Sequence, residues 1–404
     1  VTPREEPNVT ISDTVRTRTR VPRDPENDYT NDAARLRREF VGHQSGTDLR
    51  HVGYYSLDPS KLPGNIENFT GVAQVPLGVA GPLRINGEHA KGDFYVPLAT
   101  TEGTLVASYN RGMRVLAESG GVRATVVDDQ MQRSPVFVLD NAVQARDLGR
   151  WISAHIGEIR AAAESTTRSG KLTHIGQHVV GPLLYLRVNF TTGDAAGQNM
   201  TGKATFAASH WIQDNHPDHP RYLLSGNTET DKKHSHINVL FTRGKRVVAE
   251  ATILQDVLRN RMGVDTRELF RYRQISQSGA FMAGSASDGV QVANALTALF
   301  IATGQDVANV AEGHGALLYT QLLDNGDLYW SITLPALIVA TYGGGTALPT
   351  QRECLQMLGC YGAGKVMKFA EICASVVLAG EISLVSAIVQ GDWVPSHDEL
   401  GRNR

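Results

Sequence analysis

The chain has 404 residues, 41% of them hydrophobic, with 39 basic against 41 acidic side chains and a formal net charge of −2. This length fits one large domain with a smaller one inserted or appended, and the apolar share supports a sizeable core and excludes a disordered chain. The charge balance argues against a nucleic-acid-binding protein, which carries a basic excess or stripe. The three cysteines, Cys354, Cys360 and Cys373, form no disulfide framework and fit the reducing cytoplasm.

Residues 1–30 are rich in Thr, Arg, Asp and Pro and mix both charges, as a surface tail does. A short amphipathic helix is predicted at about Asn31–Val41. Gly64, Gly71, Pro76, Gly78, Gly81 and Pro82 then punctuate residues 64–98, predicting loops and short strands. Thr100-Thr101-Glu102-Gly103 is read as the opening of a helix whose buried face carries Leu105, Tyr109, Met113 and Leu116 and which ends at Gly120-Gly121.

A second unit spans about 134–223. It combines a helix (Leu148, Trp151, Ile152, Ile156, Ile159 on one face) with a strand alternating at Leu184, Leu186, Val188 and Phe190. A glycine-rich turn, Gly193–Met200, leads into another helix, so the unit reads as a compact α+β insertion. Hairpins are predicted at 236–252 through Arg243-Gly244-Lys245 and at 316–334 through Asp324-Asn325-Gly326. Apolar helices are predicted at about 290–303, closing on Gly304, and at about 363–390. No run is read as long and apolar enough to span a membrane, nor the start as a signal peptide.

Taken singly, the chemical signals are weak. The G-x-G-x-x-G fingerprint is absent, which disfavours a Rossmann domain; the turn Gly193–Met200 offers helix amides to a phosphate instead. Gly359–Lys365 resembles a P-loop, but Val366 stands where a hydroxyl is needed, so it reads as an inter-helix turn. His210, His216, His219, His234 and His236 raise a metal-dependent hydrolase as an alternative. The prolines around His216 and His219 exclude the helical zincin spacing, and no metal site is assigned.

Nine segments considered together resemble the catalytic domain of HMG-CoA reductase, class I: ENFTGVAQVPLGVAGPL (67–83), TTEGTLVAS (100–108), GDAAGQNM (193–200), TDKK (230–233), TGQDVANV (303–310), YGGGT (342–346), LQMLG (355–359), LAGEISL (378–384) and SHDELGR (396–402). They run in the family's order from about Leu62 to the C-terminus. The ending shortly after His397 also resembles class I. The resemblance implies an α+β fold: a large mixed α/β substrate domain (66–133 and 235–404) with an inserted small ferredoxin-like α+β cofactor domain (134–223), not a Rossmann fold. A tail and helical segment (1–65) precede it, and a substrate loop (224–234) joins the two domains. It implies catalytic roles for Glu102, Lys232, Asp306 and His397, and substrate contacts at Arg133, Ser225, Asp231, Lys233 and Asn294. It implies NADPH as cofactor, at Thr167, Arg168, Asp194, Gly197, Gln198, Asn199, Gln305 and Gly343, Gly344 and Gly345. The family assembles as a homodimer or dimer of dimers. The chain departs from the family at Ile275, where a lysine is usual, and at Gly289 and Gln291.

The implied reaction, HMG-CoA to mevalonate, needs two hydrides. A fixed cation, Lys232, suits the oxyanion, and His397 suits the departing thiolate. Glu102 suits as the final acid, although a helix N-terminus would lower its pKa. Retention of all four residue types argues against a non-catalytic coenzyme A-thioester binding protein.

Overall fold

The computed structural model of the protein describes residues 20–391, which divide into two units, up to Pro76 and from Leu77 onward. His397 lies outside the described residues.

The first unit centres on helix α1 (Asn31–Ser45), longer than the predicted span. Thr30 caps it, its hydroxyl accepting from the Ala33 amide at 3.0 Å, and Gly46 closes it in the left-handed conformation. Its Arg37 is buried and donates to the carbonyls of Pro22 (3.0 Å) and Phe69 (2.8 Å) and to Asp28, so one guanidinium organises the loops around the helix.

The second unit opens with an antiparallel hairpin, β1 (Leu77–Asn86) and β2 (Lys91–Ala99). These strands are longer than the glycine and proline punctuation predicted. Helix α2 (Leu105–Glu118) buries Leu105, Tyr109, Met113 and Leu116, the face read from the sequence. It begins after Thr104, so Glu102 and Gly103 belong to a turn ahead of the helix and not to its first turn.

Strand β3 (Arg123–Arg133) is shared between two parts of one eight-stranded sheet. Its residues Arg123–Gln130 pair with β8 (Gly244–Ile253), and Met131–Arg133 pair with β6 (Leu183–Thr191). On one side, β8 pairs antiparallel with β10 (Leu328–Leu337), which pairs with β9 (Leu317–Leu322), the hairpin predicted through Asn325-Gly326.

On the other side the chain runs β4 (Val136–Val138), α3 (Ala142–Ala154), α4 (Ile156–Glu164), β5 (Lys171–Val180), β6, α5 (Gln198–Asn215) and β7 (Arg221–Leu223). The strands lie in the order β7-β4-β6-β5, all antiparallel. That is the β-α-β-β-α-β split motif of the ferredoxin-like fold. It has its own core of Phe137, Leu148, Ile152, Ile159, Leu184, Leu186, Phe190, Ala204 and Ile212. The single helix predicted from Leu148 to Ile159 is broken at His155, whose ring is hydrogen-bonded back to the Trp151 carbonyl at 2.8 Å.

The hairpin predicted at 236–252 does not form. Residues His236–Phe241 are a short helix, α6, and only the second half is a strand. Both edges of β8 are occupied, by β3 and by β10, so no ladder position is left for 236–241.

Helices α7 (Gln255–Met262) and α8 (Thr266–Met282) follow. Next come α9 (Val292–Thr303), capped by left-handed Gly304, the short α10 (Val310–Gly313) and α11 (Pro349–Met357).

The long α12 (Val366–Gln390) is apolar nearly all round and runs through the main core. By length and composition it could cross a membrane, which corrects the reading that no such run exists, but 83% of its most apolar window is buried inside the protein. Gly112 of α2 lets the two helices touch: a β-carbon there would stand 1.9 Å from the Ala379 carbonyl oxygen. The buried Glu371 of α12 accepts from the amides of Glu88, His89 and Ala90 (3.2, 2.9 and 2.6 Å), which satisfies the β1–β2 turn.

Candidate active site

Two polar constellations collect the predicted catalytic and substrate residues that fall among the described ones. The first is built on the loop after β7. Lys232 extends an exposed ammonium to Asp306 at 3.0 Å, two residues past the α9 cap Gly304. Asp306 is the first cause of a raised Lys232 pKa, with Asp231 and Glu312 adding to it, so the lysine is held as a cation. Lys233 is exposed and folds back onto the Asp231 carbonyl at 2.9 Å.

Beneath this pair lies a buried charge network. Arg243 donates to Asp231 Oδ1 at 2.7 Å and to Glu312 Oε1 at 3.1 Å, and its third nitrogen reaches the Gln132 carbonyl at 3.1 Å. Arg133 stands 3.5 Å from Glu229 and 3.9 Å from Asp231, and the Ser225 hydroxyl donates to Glu229. Gln198, the first residue of α5, donates to Asp231 (3.2 Å) and Asn309 (3.1 Å). The glycine-rich turn of the small unit therefore touches the lysine-bearing loop.

The second constellation is at the start of α2. The Asn294 amide stands 3.4 Å from Glu102 Oε1, and the Glu102 backbone amide donates to the Thr100 hydroxyl at 3.0 Å. Glu102 precedes the left-handed Thr104 cap by two residues, in the turn ahead of the helix and not in its first turn. Tyr109, fully buried, donates to the Gln291 carbonyl at 2.7 Å, and buried Glu381 accepts from the amides of Val290 (2.8 Å) and Gln291 (2.6 Å). This brace fixes the start of α9, which carries Asn294.

The residues expected at a dinucleotide are spread around the small unit. Gly197 starts α5 at φ 83°, a conformation that favours glycine, and its α-carbon lies so close to Thr192 that a β-carbon would stand 2.2 Å from Thr192 Cγ2. The N-cap residue of α5 is Gly197, which has no side chain to cap the first amides, where Gln198 and Asn199 lie. Thr167 accepts from the Gly170 amide at 3.0 Å and orders the turn that presents exposed Arg168. Gly343 and Gly344 are exposed, with nothing within 4 Å of where a β-carbon would be, and Gly345 follows them.

Asp194 and Gln305 are engaged with backbone. The Asp194 carboxylate accepts from Gly364 (2.8 Å), Lys365 (3.0 Å) and Val366 (3.2 Å), the N-terminus of α12. The P-loop-like turn thus holds a carboxylate, as an ordinary capped turn does. Gln305 is buried and bonds the Ala340 carbonyl (3.0 Å) and amide (2.7 Å), fixing the strand end before the glycine run.

The histidines do not converge. His210 pairs with Asp214 at 3.4 Å, His216 packs edge-on to Trp151, and His234 lies beside His314 with ring centroids 5.5 Å apart. Ile275 is exposed, whereas nearby Arg273 is buried against Asp288 at 2.8 Å.

Sequence reading missed Arg243, Glu229 and Glu312. A charged residue in an apolar stretch, such as Glu312 two residues after Val310, was the available signal.

The hydroxymethylglutaryl-coenzyme A reductase family profile matches residues 33–402. The chain is 45% identical over 380 residues to the 3-hydroxy-3-methylglutaryl-coenzyme A reductase of Pyrococcus horikoshii, covering 92% of each chain. It is 42% identical to that of Methanocaldococcus jannaschii, covering 92% of this chain and 93% of the relative. Among solved structures it is similar to the class II reductase from Streptococcus pneumoniae bound to NADPH in open conformations. There the TM-score is 0.66 and the identity 21%, over 81% of this chain and 78% of that one, a likeness of fold.

Proposed function

The chain belongs to the hydroxymethylglutaryl-coenzyme A reductase family, and from that premise we propose that it reduces HMG-CoA to mevalonate and free coenzyme A at the expense of two NADPH. The observation that carries this reading is the Lys232–Asp306 pair, a cation held at 3.0 Å from a carboxylate on an accessible surface. The metal-dependent hydrolase is not favoured, because among the described residues the histidines of 210–236 belong to no cluster of three metal-ligating atoms.

NADPH supplies the two hydrides when bound. The residues fit such a group: α5 begins with uncapped amides at Gly197, Gln198 and Asn199, which suit a phosphate, and exposed Arg168 beside Thr167 suits a 2′-phosphate. Gly343, Gly344 and Gly345 offer an open backbone surface, with Asp194 and Gln305 fixing the segments around them. The unit 134–223 is the proposed cofactor domain, and 66–133 with 235–404 the substrate domain.

Lys232 stabilises negative charge on the thioester oxygen and later on the mevaldehyde oxygen, as a preorganised cation does. Asp306 keeps it charged and oriented. Arg133, Ser225, Asp231, Lys233 and Asn294 grip the carboxylate and hydroxyl of the substrate, and Glu102 delivers the final proton. His397 protonates the departing thiolate. The active assembly is a homodimer or dimer of dimers in the cytoplasm; three buried thiols, one of them (Cys360) pushed up to about 12 by burial, suit a reducing compartment.

The test is NADPH oxidation with HMG-CoA and identification of the product. Two NADPH consumed per mevalonate is expected. A product stopping at the aldehyde after one would overturn the four-electron assignment.

A further inference from the structure

We infer that Glu312 is a positioning residue for Lys232: its buried carboxylate anchors the backbone amide of the lysine and so aims the ammonium at Asp306. The inference rests on the catalytic reading of Lys232 given above.

The loop that carries Lys232 is held in an unfavourable shape. Asn227, Thr230 and Lys232 all have positive φ, at 67°, 57° and 55°. Non-glycine residues keep such angles only where surrounding contacts over-determine them. For Lys232 the determining contact is visible: its amide donates to Glu312 Oε1 at 2.8 Å. The same oxygen accepts from Arg243 at 3.1 Å, and Arg243 in turn holds Asp231, the neighbour of Lys232, at 2.7 Å. Glu312 and Arg243 are both fully buried, so their bonds are shielded from water. The two consecutive loop residues are therefore pinned from below by one carboxylate and one guanidinium, while the Lys232 side chain emerges above.

Glu312 stands on α10, six residues beyond Asp306. One short segment thus supplies both the carboxylate that meets the ammonium and the carboxylate that fixes its backbone. The other oxygen of Glu312 is buried and makes no hydrogen bond to the described residues. A residue placed for stability alone gains little from an unfilled buried oxygen.

The charged groups facing Lys232 are Asp306, Asp231 and Glu312, and those facing Glu312 are Arg243 and Asp231. All three acids favour the lysine cation. Removing one negative charge should lower the Lys232 pKa and move the alkaline limb of the kcat profile to lower pH.

The experiment measures kcat and KM with HMG-CoA and NADPH, from neutral to alkaline pH, on the full chain and three variants. Glu312→Met removes both the anchor and the charge while Arg243 keeps Asp231. It should lower kcat about 100-fold, the size of effect a small misplacement of a catalytic group produces. KM for NADPH should hold and the alkaline limb should shift down, while the melting temperature falls because buried Arg243 loses a partner. Glu312→Gln keeps an acceptor for the Lys232 amide, so it should lose less activity but show the same shift. Wild-type kcat in Glu312→Met overturns the inference. So does a loss of activity with the limb unmoved, which is a packing effect. Should Glu312→Met fail to fold, the limb of Glu312→Gln decides. Full activity in Lys232→Ala would instead overturn the catalytic reading of Lys232 itself.

Discussion

Glu381 lies fully buried in the middle of α12, with one oxygen accepting two amides and the other without a partner among the described residues. Burial pushes its pKa up to about 7, against the pull of those amides and of Arg273. An acid raised in the folded state binds its proton there at pH values where the unfolded chain has released it. Stability should therefore fall as pH rises from about 4.5 to about 7, by roughly 3 kcal/mol for this one group. Glu381→Gln removes the titration, so the melting temperature of the variant should decline less over that window, as calorimetry at several pH values can measure. An equal decline in both proteins would mean that Glu381 is already ionised throughout. At another residue, Arg168, the proposed 2′-phosphate contact predicts cofactor choice. Arg168→Ala should weaken NADPH about tenfold or more while leaving NADH little changed, the loss expected for a charge-assisted hydrogen bond. Equal losses for both cofactors, measured as KM ratios, would place Arg168 away from the phosphate.

Helix α12 is held at its start by a side chain from a distant segment. Asp194 bonds three successive amides there, an N-cap supplied from 170 residues away in the sequence. Asp194→Ala should cost about 2 kcal/mol, the upper range for a lost cap, seen as a lower denaturation midpoint. It should also weaken NADPH, because the turn Gly193–Met200 loses its tether. Unchanged stability would mean that water replaces the carboxylate without loss. The same scale explains the misread hairpin. Ile237, Val239 and Phe241 alternate as a strand does, and a local pattern favours that reading. Pairing is a competition for edges, and β3 and β10 already fill both edges of β8. The segment becomes a short helix that leaves Leu240 and Phe241 exposed, at 72% and 57%.

Those two side chains end the short helix that follows the loop carrying Lys232, which fits the proposed homodimer with that loop at the subunit boundary. Light scattering should give a dimer or a multiple of it. Leu240→Asp combined with Phe241→Asp should shift the mass toward monomer and lower activity; a fully active monomer would overturn the assembly. Within the chain, β3 binds the small unit to the main sheet, changing partner from β8 to β6 between Gln130 and Met131. The sequence alone determined the family, through short motifs whose order and spacing survive without reference to their contacts. It also determined helices α2, α9 and α12, because an apolar face repeats every turn, as at Leu105, Tyr109 and Met113, whereas α8 (Thr266–Met282) was not read from the sequence. The tertiary structure decided what depends on residues far apart in sequence. It set Lys232 beside Asp306, gave Asp194 to α12 and Gln305 to Ala340, and placed Arg243 and Glu312 beneath the loop. Local pattern records which face of an element is apolar, whereas the partner of a polar side chain is set by which distant segment packs opposite it.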